Sequence, residues 1–117
     1  MSKEIEVYQK PTCSKCRATI GLLKERGASF EAINYYETPL TEQRLRGLIE
    51  KLGIAPRDLL RKGEQVYRDL NLARREVSAD ELIRLMVENP DLIQRPIVVR
   101  GNKAVLGRPP ENVEELF

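Results

Sequence analysis

The chain has 117 residues, with 20 Lys+Arg against 18 Asp+Glu, a net charge of +2, two Cys, no His and no Trp. Its 41% apolar and 32% charged residues suit a folded protein large enough for a core and exclude a disordered chain, while so even a charge balance leaves no basic footprint for nucleic acid. The missing histidine excludes Ser-His-Asp and Cys-His nucleophilic pairs and every His-containing zinc site, so any nucleophile must be activated by something other than imidazole.

In chain order, Met1-Ser2-Lys3-Glu4 is not a secretory signal, and no apolar run is long enough to cross a bilayer, so a cytoplasmic setting is expected. Ile5-Glu6-Val7-Tyr8 alternates apolar and polar residues, a strand signal that Pro11 ends. Ala18 to Arg26 reads as a helix stopped by Gly27, with Ile20 and Leu23, and Leu22 beside them, on its apolar face. Phe30 to Tyr36 reads as a second strand. Residues 37–94 read as helical: Thr41 caps a helix with Leu45, Leu48, Ile49 and Leu52 on one stripe closed by Gly53, and Pro56 opens a short helix through Arg61 that ends near Gly63. Ser78-Ala79-Asp80-Glu81 is a capping box ahead of Leu82, Ile83, Met86 and Val87, and Asn89-Pro90 stops that helix. Pro96 to Arg100 and Ala104 to Leu106 are the arms of a hairpin turning at Gly101-Asn102, and Pro110 starts a closing helix, Glu111 to Leu116. The expected fold class is α/β, a thioredoxin-like βαβ-ββα sheet with a helical insertion at about 37–94 between its two halves. Residues 1–117 are read as a single domain of this kind.

Cys13 and Cys16 are the only thiols, in Pro11-Thr12-Cys13-Ser14-Lys15-Cys16-Arg17. Two thiolates without His fall short of a zinc site, and one bridge over two intervening residues stabilises little. A Cys-x-x-Cys between a strand and a helix reads as redox chemistry, weighed against the plain alternative of two small buried residues. Cys13 at the helix entrance meets unpaired backbone N–H groups and the positive end of the helix dipole, which favour a thiolate, the reactive form. Lys10, Lys15 and Arg17 add positive charge to that neighbourhood.

Most of the other cations read as ordinary solvated surface. Three stand out: Arg61 after Leu59-Leu60, Arg95 directly before Pro96 at a strand entrance, and Arg108 in Gly107-Arg108-Pro109-Pro110. Guanidinium forks hold tetrahedral oxyanions with paired donors and a charge that does not titrate away. Singly each is a surface residue; as a set beside a thiolate they point to chemistry on an oxyanion.

The segments Tyr8 to Arg17, Leu59-Leu60-Arg61-Lys62-Gly63-Glu64, Leu92 to Val99 and Gly107-Arg108-Pro109-Pro110-Glu111 resemble those of the ArsC-type, glutaredoxin-linked arsenate reductases, in order and spacing along almost the whole chain. The resemblance implies that Cys13 attacks arsenate and forms a covalent adduct. Arg61, Arg95 and Arg108 would hold the oxyanion, no cofactor or metal would be bound, and phosphate or sulfate would compete. Glutathione would attack the arsenic and glutaredoxin would take the mixed product, with arsenite released, the chemistry of arsenic resistance. It also implies a monomer and a cis Arg95-Pro96 bond. Two departures bear on this. Many members carry His-Asn where this chain has Gln9-Lys10, and the better-known form has Ser at the place of Cys16. A second thiol opens an internal disulfide with thioredoxin as reductant.

Other readings share the fold. Spx-type regulators carry a Cys-x-x-Cys switch at the same place and bind the RNA polymerase α subunit, and a general dithiol oxidoreductase would act on protein disulfides. Arg61 in Leu-Leu-Arg-Lys and the Gly107-Arg108-Pro109-Pro110 segment favour the reductase. That reading requires the Cys13 sulfur to lie within reach of guanidinium groups of Arg61, Arg95 and Arg108.

Overall fold

A computed structural model describes residues 4–117. Met1 to Lys3, on which the reading of the N-terminus falls, lie outside the described residues. The chain divides into two compact units: the part up to Thr38 together with Arg95–Phe117, and Pro39–Gln94 between them in sequence.

The first unit is built on β1 (Ile5–Gln9), which runs parallel to β2 (Phe30–Asn34) and antiparallel to β3 (Ile97–Arg100). β3 pairs antiparallel with β4 (Lys103–Leu106), giving the strand order β2-β1-β3-β4. With α1 (Ser14–Glu25) joining the two parallel strands, the βαβ-ββα order is that of a thioredoxin-like sheet. The alternation of Ile5 and Val7 is explained by the fold. Both are wholly buried and pack with Leu23, Val98, Val105, Val113 and Leu116 into one cluster, while Ile20, Leu22, Ala28 and Phe30 lie partly buried against it. The closing segment Pro110–Leu116 is a 3-10 helix instead of an α-helix.

β2 ends two residues short of the expected Tyr36. The Asn34 side chain accepts the Tyr36 backbone N–H at 3.0 Å, and Asn34 O accepts from Glu37 and Thr38, so an Asn-nucleated turn pulls Tyr35 and Tyr36 out of the strand. Tyr35 is buried in that turn. The helix after β1 starts at Ser14, directly after Cys13, the expected helix-entrance residue, and runs through the helical stretch read from Ala18.

The second unit is helical. Thr41 caps α2 (Glu42–Leu52) by accepting the Arg44 N–H at 3.0 Å, and Gly53 closes it at φ 69°, a left-handed conformation that costs glycine little. Leu45, Leu48 and Ile49 of its stripe are buried and Leu52 is half-buried. The expected helix from Pro56 is a single 3-10 segment, Pro56–Leu59. A one-turn helix, α3 (Gln65–Asp69), was not singled out by periodicity because five residues are too few to show it. Ser78 caps α4 (Ala79–Glu88), whose Leu82, Ile83 and Met86 face inward, and Pro90–Leu92 forms a further 3-10 turn. Some of the cations assigned to plain surface tie loops together instead: Arg57 donates to Leu72 O at 3.0 Å and to Arg75 O at 3.1 Å. Among the described residues no helix is long and apolar enough to cross a membrane.

Candidate active site

Residues 10–13 turn the chain from β1 into α1, with the Cys13 N–H donating to Lys10 O at 3.0 Å. Cys13 is the N-cap of α1: its backbone is extended, at φ −84° and ψ 121°, and its sulfur accepts the Cys16 N–H at 3.3 Å. The sulfur therefore stands where the unpaired N–H groups of the first turn point, at the positive end of the helix. One turn on, Cys16 is completely buried, whereas Cys13 keeps 9% of its surface. Both are free thiols.

The cation that acts on this thiol is Arg95. Burial pushes the Cys13 thiol up. Hydrogen bonds from the Cys16 side chain and backbone and from Arg95, with the Arg95 charge, outweigh it and bring Cys13 below the ordinary thiol range. Cys16 goes the other way. Burial first and the hydrogen bond to the Cys13 side chain second push it up to about 12, which makes it the proton donor of the pair. The two thiols thus differ in acidity, Cys13 being the more acidic of the pair. Lys10, expected to help charge the loop, holds its ammonium over the Tyr36 ring at 4.6 Å, and Arg17 donates to Pro11 O at 3.4 Å. The cation that favours the Cys13 thiolate comes from the far half of the sequence.

Arg95 is itself buried at 8% exposure. Its Nη1 donates to the Tyr36 hydroxyl at 3.4 Å. Among the described residues, the buried side-chain nitrogens or oxygens without a hydrogen-bond partner are Arg95 Nε and Arg61 Nη1, each on an arginine singled out from sequence. Leaving such a donor unmatched costs about 1–3 kcal/mol. Arg108 follows Gly107 in the same unit as Cys13 and is half-buried, its carbonyl accepting from Asn112 Nδ2 at 3.2 Å. Arg61 belongs to the helical unit, where its Nε pairs with Glu64 at 3.4 Å. The structure thus brings Cys13, Cys16 and Arg95 together. The Arg95–Pro96 bond is cis, as expected, and so is Arg108–Pro109, which was not expected.

A profile of the ArsC family matches residues 8–116, spanning β1 to the final 3-10 helix and including the cysteine loop and all three arginines. The chain belongs to the ArsC family. Its relatives include the uncharacterized protein YfgD of Escherichia coli K12, 47% identical over 117 residues and covering 99% of this chain and 98% of that one. An arsenate reductase of Neisseria meningitidis is 39% identical over 115 residues, covering 97% of this chain and 98% of its own. Among solved structures, that of an arsenate reductase from Vibrio cholerae superposes with a TM-score of 0.94 at 39% identity, covering both chains fully.

Within this ArsC-family chain, sequence reasoning read Tyr36 only as a strand residue and Thr19 only as part of a helix, and noted Gly107 only as the residue before Arg108. Only Thr19 left a trace, as a polar residue one turn beyond Cys16 on the face that also carries Leu23. The thiol geometry leads to a pH prediction. Because Cys13 is an acid whose anion is favoured, its alkylation rate is expected to rise through a step below the ordinary thiol range, while Cys16 stays protonated to about pH 12. Iodoacetamide labelling read by mass spectrometry across pH 5–10 checks this. Equal labelling of both cysteines along one curve centred in the ordinary range would contradict it.

Proposed function

We propose that this protein is a thiol-dependent arsenate reductase of the cytosol. The observation that carries the reading is the Cys13 sulfur capping a helix N-terminus, its thiol made more acidic by Cys16 and Arg95, with the buried Arg95 Nε lacking a partner. A tetrahedral oxyanion matches both groups: arsenic takes the sulfur and an oxygen takes the guanidinium N–H. The Cys13 thiolate attacks arsenate, an As–O bond breaks, and the protonated oxygen leaves as water. A second thiol then attacks the Cys13 sulfur and the electron pair of the S–As bond passes to arsenic, which falls from the +5 to the +3 state. Two thiols become one disulfide, and arsenite departs. Phosphate and sulfate bind the same guanidinium groups and compete without being reduced.

In the family pattern glutathione attacks the arsenic instead and displaces a second oxygen as water. A glutaredoxin thiol then attacks the glutathione sulfur, the electron pair of that S–As bond takes arsenic to the +3 state, and water displaces arsenite from Cys13. Cys16, one turn from Cys13, offers an internal alternative recycled by thioredoxin. In that case Cys16→Ser is expected to abolish turnover supported by thioredoxin, and a variant that retains full turnover with either donor removes the resolving role. Names of relatives support the activity, since the Neisseria meningitidis and Vibrio cholerae proteins are called arsenate reductases. The test is arsenate-dependent NADPH oxidation with glutathione, glutaredoxin and glutathione reductase. Arg61→Ala and Arg108→Ala, each expected to raise the KM for arsenate, extend the test to the other two arginines. Insulin reduction without arsenate turnover would favour a general dithiol oxidoreductase, and capture of RNA polymerase a regulator of the Spx type.

A further inference from the structure

Thr19 is completely buried, an unusual position for a hydroxyl, and donates to Gly107 O at 3.2 Å across 88 residues of sequence. The Gly107 N–H in turn donates to Pro96 O at 2.9 Å. A Cβ added at Gly107 would lie 2.6 Å from Thr19 Oγ1 and 2.8 Å from Pro96 Cγ, so glycine is required there by space, not by turn geometry. Three segments meet at that point, and each borders a group of the candidate site. Thr19 lies one turn after Cys16, Pro96 directly follows Arg95, and Gly107 directly precedes Arg108.

From Cys13, the cap of α1, the path runs along the helix to Thr19, across to Gly107 and on to Pro96 and Arg95. Arg95 is in turn a cation that makes the Cys13 thiol more acidic. Every link lies within one compact unit. We infer that Thr19 and Gly107 are positioning residues of the thiolate site: together they set where Arg95 stands relative to the Cys13 sulfur. The charged and titratable groups concerned are Cys16 on α1 and Arg95 ahead of β3, with Tyr35 and Tyr36 acting on Arg95 from the turn after β2. The inference deepens the reading of Cys13 as the nucleophile and does not depend on arsenate being the oxyanion.

The physical reason is rigidity. A hydrogen bond to a charged partner weakens steeply with distance and angle, so a side chain as long as arginine serves a thiolate only if its backbone is fixed. Close packing of a hydroxyl, a proline ring and a glycine with no room to spare fixes it, because packed interiors shift in steps and not continuously. Removing the hydroxyl leaves the Gly107 carbonyl without the Thr19 donor, and adding a methyl at Gly107 forces the segments apart.

The experiment reads Cys13 alkylation by iodoacetamide against pH in the full chain, with folding checked by circular dichroism. Thr19→Val, nearly equal in shape, is expected to slow labelling at pH 7 at least about threefold and to move the profile to higher pH, and Gly107→Ala to do so more strongly. Thr19→Ser keeps the hydroxyl and is expected to keep the wild-type profile. A folded Thr19→Val or Gly107→Ala protein with the wild-type profile overturns the inference, and so does a Thr19→Ser profile displaced as far as that of Thr19→Val. Because the assay uses no arsenate, a protein that fails to turn arsenate over still gives this answer, and the two failures stay distinguishable.

Discussion

Replacing Cys13 by Ser is expected to reduce arsenate-dependent NADPH oxidation by at least about a thousandfold, down to the rate without enzyme. The chain has no histidine, so no imidazole can act as general base for a serine hydroxyl at position 13, and oxygen cannot give the electron pair that sulfur gives. The fold should tolerate the change. A serine at the N-cap of α1 can accept the Cys16 N–H that the sulfur accepts now, and serine is among the best residues for that position. Loss of turnover with an unchanged melting temperature and circular dichroism spectrum is therefore the expected pattern. Turnover within tenfold of wild type would remove Cys13 from the reaction.

Arg95→Ala is expected to lower kcat/KM for arsenate by about a hundredfold to a thousandfold, by two routes. It deletes the buried, unpaired Nε donor that the proposed oxyanion would use. It also removes an influence that makes the Cys13 thiol more acidic. The sign follows from the chemistry of an acid: with less support for the anion, the Cys13 thiol moves up, less thiolate is present at pH 7, and alkylation slows. Arg95→Lys keeps the charge but not the planar fork, so it should recover part of the thiolate and little of the oxyanion binding. Measuring alkylation and KM in the same variants separates the routes. An Arg95→Ala protein with the wild-type alkylation profile would mean that the hydrogen bonds from Cys16 alone hold the thiolate.

The pairing of the two thiols gives Cys16 two separable properties. The Cys16 side chain is the largest favourable influence on Cys13, and it acts as a donor because its own burial keeps it protonated to about pH 12. A hydroxyl at that position would offer a donor too. What only a thiol adds is the capacity to form a disulfide with Cys13.

Several features were legible before any coordinates, each for a local reason. Alternation marked β1, Thr41 and Ser78 marked the starts of α2 and α4 through their hydroxyl caps, and the Cys-x-x-Cys after a strand marked the thiolate site. The boundaries that moved did so for local reasons that periodicity does not carry. The Asn34 side chain ends β2 before Tyr35, and Pro56–Leu59 stops as a single 3-10 segment.

By itself the sequence determined the chemistry on offer: a redox pair without histidine, arginines in unusual settings, and the order of strands and helices that carries them. Caps, periodicity and spacing are properties of neighbouring residues, and neighbours are what a linear chain displays. Only the tertiary structure decided which cation serves the thiolate. Lys10, Lys15 and Arg17 are closest in sequence, yet it is Arg95 that makes the Cys13 thiol more acidic, because the β1–β3 pairing lays the start of β3 beside the end of β1, from which the chain turns into α1. Sheet register and the tight approach at Gly107 set that encounter, and both depend on packing between residues that no local pattern links.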